Sequence, residues 1–227
     1  MPGNPPTKGD SPFFFRKGDC PLLSLYPIVN VREQSEAELQ RTRTLAGRLG
    51  AAGVPLIQLR AKTLPAGTFA ELATRLVEEL AQHDTQLVVN DRIDVAMSAG
   101  AAGVHLGDED LPVTVARELL GDDAIVGYST HSEDEARAAT TWPVDYLGFG
   151  PVFESPTKPG VRAARGVEAL RRACTAATVP VVAIGGVTLE TAPAAWAAGA
   201  SAVAVISEIE TAADVDALVE AYRAQAS

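Results

Sequence analysis

Three short stretches carry the groups that could do chemistry. They are Gln58-Leu59-Arg60-Ala61-Lys62, Asn90-Asp91, and Phe149-Gly150-Pro151-Val152-Phe153-Glu154-Ser155-Pro156-Thr157-Lys158-Pro159. Each sits where an apolar run stops. Together they offer cations, hydroxyls and a carboxylate, the groups that hold a phosphorylated ligand and a divalent metal. Gln58, Arg60 and Lys62 are spaced by two, which places all three on one face of an extended segment, with Ile57, Leu59 and Ala61 on the other. Two cations directed into an interior are costly alone, and an anionic ligand compensates them. The rival reading is a salt-bridge cluster at the surface.

Further polar groups recur at the ends of other apolar runs. Arg92 follows Asp91, and Gly107-Asp108-Glu109-Asp110 follows the next run. Mg²⁺ takes hard oxygens, commonly one or two carboxylates, with water and substrate phosphate completing its shell. Asp91 and Asp110 suit that need, although Asp108 or Glu109 could stand in for Asp110. Asp110 could equally cap a helix opening at Leu111-Pro112. Beyond these lie Ser129-Thr130-His131, Gly185-Gly186 and Ile206-Ser207. A Gly-Gly turn lets backbone N–H groups approach a phosphate closely. Of the histidines, His83 is expected in solvent, His105 as a hydrogen-bonded core residue within a strand, and His131 at a strand end. No His or Cys pair has zinc-ligand spacing.

These groups need a scaffold that brings many strand ends to one place. From about Leu22 the chain alternates short apolar runs with amphipathic stretches. The runs are Leu25 to Val31, Leu56 to Leu59, Leu87 to Val89, Val104 to Leu106, Ile125 to Tyr128, Tyr146 to Val152, Val179 to Ile184 and Ala202 to Ile206. Near-continuous apolar runs are typical of parallel strands buried on both faces. Helical patterns separate them: Glu36 to Leu49, Phe69 to Leu80, Ile93 to Ala99, Pro112 to Leu119, Glu133 to Ala139, Val167 to Ala177, Leu189 to Ala198 and Ala213 to Arg223. Phe69, Leu72, Leu76 and Leu80 form one stripe. Gly100 and Gly199 are placed to end helices. Eight such units predict an α/β protein of the (β/α)₈ TIM-barrel class, whose working face is the C-terminal end of its strands. An open doubly wound sheet is disfavoured because no G-x-G-x-x-G follows the first strand.

Composition agrees. The chain has 227 residues, of which 47% are apolar and only 5% aromatic, a filling suited to one closely packed α/β domain. Residues 1–18 read as a tail outside that domain, which runs 19–227. The net charge of −10 argues against a nucleic-acid or anionic-membrane surface. No apolar run reaches the ~18 residues of a membrane helix, and Arg16-Lys17 follow the short apolar Phe13-Phe14-Phe15 where a signal peptide would have them first. A cytoplasmic location is therefore expected by default. Cys20 and Cys174 are expected to be reduced structural residues. Small-molecule substrates are the expected partners, and the sequence leaves a homo-oligomer open.

Taken in order, the motifs above, with Gly127-Tyr128-Ser129-Thr130-His131, Ala183-Ile184-Gly185-Gly186 and Val205-Ile206-Ser207, resemble the thiamine-phosphate synthase family, which also includes the thiazole tautomerases. The resemblance runs from about Leu25 to Ile209. It implies a Mg²⁺-dependent transfer of a hydroxymethylpyrimidine group from its diphosphate to the ring nitrogen of a thiazole phosphate. By similarity, Gln58, Arg60, Lys62, Asn90 and Lys158 would hold the pyrimidine diphosphate. Asp91 and Asp110 would hold Mg²⁺, and Ser129 would touch the diphosphate or the pyrimidine. Ser155, Thr157, Gly186, Ile206 and Ser207 would place the thiazole phosphate. Arg60, Lys62, Ser129 and Lys158 would carry the catalysis.

The chain departs from the family pattern at a few positions. Ala61 stands where an acidic residue is usual, Ser155 where Thr is, Asp108 where Gln is common and Thr191 where Asn often follows the Gly-Gly turn. None removes a metal or phosphate group. Two other functions fit parts of the pattern. A tautomerase would use His131 as acid or base, but has no use for the Asp91, Asp110 and Thr157-Lys158 set. A non-catalytic phosphate-binding barrel should have lost Arg60, Asp91 or Lys158.

Overall fold

The computed structural model describes residues 24–154 and 163–226. Eight strands close into one parallel barrel in chain order: β1 (Leu25–Asn30), β2 (Leu56–Arg60), β3 (Gln86–Asn90), β4 (Gly103–Leu106), β5 (Ile125–Thr130), β6 (Tyr146–Phe149), β7 (Val181–Ile184) and β8 (Ala202–Val205). The first and last pair through Leu25 with Val203 and Tyr26 with Ala204, which closes the cylinder and leaves no sheet edge. The expected (β/α)₈ barrel is therefore the architecture. The proposed boundary between residues 18 and 19 lies outside the described residues, as does Cys20.

Helices form the outer layer: α1 (Glu36–Ala51), α2 (Ala66–Leu80), α3 (Ile93–Ala99), α4 (Val113–Leu120), α5 (Glu133–Ala138), α6 (Val167–Ala176), α7 (Ala192–Ala197), α8 (Ser207–Thr211) and α9 (Val215–Ala226). Local chemistry sets their ends. Ser35 caps α1 by accepting from Glu38 N–H at 3.2 Å, and Ser132 caps α5 by accepting from Glu135 N–H at 3.2 Å. Gly100 ends α3 in the left-handed region at φ 64°. The apolar stripe of α2 is buried as its spacing requires, with Phe69 and Leu76 each 1% exposed. The helix expected from Leu189 begins only at Ala192, because Thr188 and Thr191 first close a turn with Thr188 N–H donating to Thr191 Oγ1 at 2.9 Å. The five-residue α8 was not expected. It is too short for a helical period to show in sequence.

Burial sorts the strand residues by parity. Val29, Ile57, Leu59, Ala61, Val89, Val104, Leu106, Val126 and Leu147 belong to the layer between barrel and helices. Tyr26, Ile28, Leu56, Val88, Ile125, Tyr146, Val182, Ala202 and Ala204 form a second, smaller cluster. The latter are the alternate positions of the same strands, so they fill the barrel interior. Continuing this inward parity toward the strand ends reaches Asn30, Gln58 and Arg60, Asn90, His105, Ser129 and Ile206. The interior is thus largely apolar toward the N-terminal ends of the strands and polar at the C-terminal ends of β1 to β5, while Ile184 and Ile206 continue the apolar lining at the ends of β7 and β8.

Candidate functional site at the barrel mouth

Arg60 and Gln58 face inward from β2, while Leu59 and Ala61 pack outward, as the spacing of two predicts. The strand pairing places Asn30 opposite Arg60, and Arg60 Nη1 donates to Asn30 Oδ1 at 2.7 Å. That bond fixes the guanidinium at the mouth and leaves other N–H groups of its fork for an anion. Asn30 was not foreseen as a site residue. The signal was its place in strand register with Arg60, which a single run of sequence does not show.

Lys62 lies just past β2, and its Nζ is 3.3 Å from Asp91 Oδ2. Asp91 follows β3 in the left-handed region at φ 65°, and its N–H donates to His105 O at 2.8 Å. Asp110 folds back over the loop after β4, where its Oδ2 accepts Gly107 N–H at 2.7 Å. It does not cap α4, whose N-terminus has no side-chain hydrogen bond. Burial, and after it the neighbouring charge and side-chain bonding of Asp91, push the Asp110 carboxyl above its usual range, against the pull of Gly107 N–H and Lys62. The structure thus brings Lys62, Asp91 and Asp110 together.

Two carboxylates from adjacent strand ends are a hard-oxygen donor pair. Among the described residues no group of three or more His, Cys, Asp or Glu could hold a metal. By its chemistry a carboxylate pair suits an ion that keeps water and takes phosphate oxygens, as Mg²⁺ does.

Ser129, at the inward end of β5, is tied to His105 Nε2 by a 2.9 Å hydrogen bond. Asn90 is buried at the end of β3. Gly185 and Gly186 follow β7 at φ 91° and 66°. A Cβ on Gly186 would stand 2.5 Å from Glu154 O and 2.6 Å from Phe153 O, and one on Gly185 2.5 Å from Pro151 Cα. The two glycines thus serve the close approach of the loop after β6, a requirement the phosphate reading did not include. That loop is paired onto the end of β7, with Val152 N–H donating to Ile184 O and Phe153 N–H to Gly185 O, both at 2.9 Å. Ile206 precedes α8, and Ser207 opens it. Glu208 joins this end to the loop after β7 by accepting Leu189 N–H at 3.0 Å and the Tyr222 hydroxyl. Ser155, Thr157 and Lys158 lie outside the described residues.

His105 proves to be the core residue expected, but with a link to the site. Its Nδ1 is 2.9 Å from Tyr146 Oη, while Nε2 reaches Ser129. Burial depresses its pKa from 6.5 to about 4, only partly opposed by the Asp91 charge. The imidazole is neutral at physiological pH. Between about pH 6.5 and 4 the unfolded chain binds a proton that the folded chain does not. Stability therefore falls as pH drops through that window, by up to about 3 kcal/mol from this group. Urea unfolding at about pH 7 and pH 4.5 is expected to show a larger loss for the native chain than for His105→Gln. Equal losses would contradict a buried neutral histidine. His131 differs: its Nδ1 is 2.6 Å from Gly150 O, so Nδ1 carries the proton, because a carbonyl only accepts.

Comparison with known proteins agrees with the geometry. The family model described as thiamine monophosphate synthase matches residues 25–209. A thiamine-phosphate synthase of Albidiferax ferrireducens is 47% identical over 176 residues, 76% of this chain and 80% of the relative. A bifunctional thiamine biosynthesis protein of Symbiobacterium thermophilum is 46% identical over 75% of this chain, which spans 35% of that relative's length. The solved structure of a thiamine phosphate pyrophosphorylase from Pyrococcus furiosus superimposes with a TM-score of 0.75 at 36% identity, covering 90% of this chain and 95% of that one. A closed parallel barrel with cations and paired carboxylates at its mouth, matched over nearly all its described length, places this chain in the thiamine monophosphate synthase family.

Proposed function

We propose that this barrel condenses 4-amino-2-methyl-5-hydroxymethylpyrimidine diphosphate with a thiazole phosphate, giving thiamine phosphate and pyrophosphate, with Mg²⁺ as cofactor. The observation that carries the reading is the mouth itself. Arg60 from β2, Lys62 beyond it, and the Asp91 and Asp110 carboxylates from β3 and β4 converge there, in a chain 47% identical to a thiamine-phosphate synthase.

In this reading, departure of the diphosphate leaves a benzylic-type cation that the electron-rich aminopyrimidine stabilises. The protein's work is then to neutralise charge growing on the leaving group, not to activate a nucleophile. Arg60, held by Asn30, presents a planar fork to phosphate oxygens, and Lys62 adds a point charge. Asp91 and Asp110 would hold Mg²⁺, which when bound supplies positive charge to the diphosphate. Gln58, Asn90 and Ser129 would orient the pyrimidine diphosphate, with Lys158 as a further cation. Gly186, Ile206 and Ser207, with Ser155 and Thr157, would seat the thiazole phosphate at the loops after β6, β7 and β8. No general base is required.

The test is direct. Purified protein mixed with pyrimidine diphosphate, thiazole phosphate and Mg²⁺ is expected to release pyrophosphate and thiamine phosphate together, and to stop when EDTA removes the metal. A folded protein that makes neither product would overturn the assignment and leave thiazole isomerisation, with His131 as acid or base, as the activity to assay.

A further inference from the structure

Beneath the mouth, a line of hydrogen bonds crosses the barrel interior from Gln58 to Ser129. Gln58 Nε2–H donates to Tyr26 Oη at 3.2 Å, and Tyr26 Oη lies 2.8 Å from Tyr146 Oη. Tyr146 Oη lies 2.9 Å from His105 Nδ1, and His105 Nε2 lies 2.9 Å from Ser129 Oγ. The reaction proposed above gives Tyr26, Tyr146 and His105 no part. Burial pushes the Tyr26 phenol up to about 12 and Tyr146 well above its ordinary value, so both keep their protons.

Proton accounting sets the direction of the line. An amide N–H only donates, so Tyr26 Oη accepts from Gln58 and has Tyr146 as the acceptor of its own proton. Tyr146 then gives its proton to His105 Nδ1. A neutral imidazole that accepts at Nδ1 carries its proton on Nε2, which leaves Ser129 Oγ as the acceptor. The reverse direction strands the Tyr26 proton between two donors in a buried site.

We propose that His105 is a positioning residue. Tyr146 holds it as the Nε2–H tautomer, it donates to Ser129 Oγ, and the Ser129 proton is thereby turned toward the mouth as a donor to a lone pair of the pyrimidine diphosphate. This role rests on the function proposed above. With the line reversed, Ser129 would give its proton to His105 and present only lone pairs to an anionic substrate.

The first measurement needs no substrate. Two-bond ¹H–¹⁵N correlation spectra of ¹⁵N-histidine protein, with His105 assigned by its loss in His105→Gln, are expected to show a pyridine-type Nδ1 and a protonated Nε2. A protonated Nδ1 would overturn the relay. Turnover supplies the second. His105→Leu is expected to lower kcat roughly 10–100-fold, the worth of one hydrogen bond to a charged group, with little change in KM for the thiazole phosphate. His105→Gln, which places an amide donor near the Nε2 position, is expected to recover most of it. Tyr146→Phe keeps the ring and removes the proton fed to Nδ1, so it should weaken the tautomer preference and lower kcat. A Tyr146→Phe protein with unchanged tautomer and unchanged turnover would overturn the proposal even if His105→Leu failed to fold. An Nε2–H tautomer in a native protein without turnover would instead overturn the assigned reaction and with it the donor role.

Discussion

Asp91→Asn is expected to remove nearly all thiamine phosphate formation while the barrel stays folded. The substitution is chosen for the backbone. Asp91 sits in the left-handed region at φ 65°, where Asn is tolerated almost as well as Asp and Ala is not. Its N–H bond to His105 O therefore survives, and with it the pairing at the end of β3. What is lost is one negative charge. Lys62 loses its partner, but with side chains 56% and 24% exposed that ion pair contributes at most about 1 kcal/mol. Melting temperature should thus move by no more than about 4 °C. Turnover should fall on the order of 10²–10³-fold or more, because an amide is a poor ligand for a hard cation and the charge on the departing diphosphate is no longer balanced. Near-native kcat in a folded Asp91→Asn protein would sink the metal assignment. Asp91→Ala would be a weaker test, since about 1–2 kcal/mol of backbone strain would be mixed with the loss of the carboxylate.

Features governed by local period were legible in the sequence. The parity of Gln58, Arg60 and Ala61, the buried stripe of α2 and the eightfold alternation all follow from spacings of two or about 3.6 along one segment. The features that escaped depend on register between segments. Asn30 meets Arg60, and Tyr26 meets Tyr146 across 120 positions of chain, only because the strands pair as they do. Asp110 shows a different obstacle. As a residue type it served equally as helix cap and metal ligand, and only the fold of its loop, with Oδ2 on Gly107 N–H and Asp91 beside it, shows that it is not the cap of α4. The Gly-Gly turn lets backbone N–H groups approach a phosphate, but its second requirement, the close approach of the Pro151, Phe153 and Glu154 backbone, comes from a distant segment that the turn's own sequence does not show.

Gly127→Ala is expected to be among the most damaging single-methyl changes in the interior, and to damage the site through packing. Gly127 lies on β5 between its register partners His105 on β4 and Tyr146 on β6. All three point inward, so the histidine and tyrosine side chains meet over the glycine, and their 2.9 Å hydrogen bond occupies the space a side chain would need. A Cβ there would stand 2.2 Å from Tyr146 Cζ and 2.5 Å from His105 Nδ1. Neither ring can swing aside, since Tyr146 is 0% exposed and bonded to Tyr26 as well. Overpacking of this kind commonly costs about 1–3 kcal/mol. Here it should reach the upper end or exceed it, because the buried Tyr146–His105 bond must break and leave both groups short of a partner. Gly148, one strand further on and opposite Ser129, is the internal control. Its Cβ would meet His105 Cε1 at 3.2 Å, so His105 would have to give by only a few tenths of an ångström, far less than at Gly127. Urea midpoints should therefore fall far more for Gly127→Ala than for Gly148→Ala. The histidine spectrum of any folded Gly127→Ala fraction should lose its single tautomer. Equal losses in the two variants would mean that the His105–Tyr146 contact does not fill the barrel as described, and that Gly127 is free of the constraint its neighbours impose.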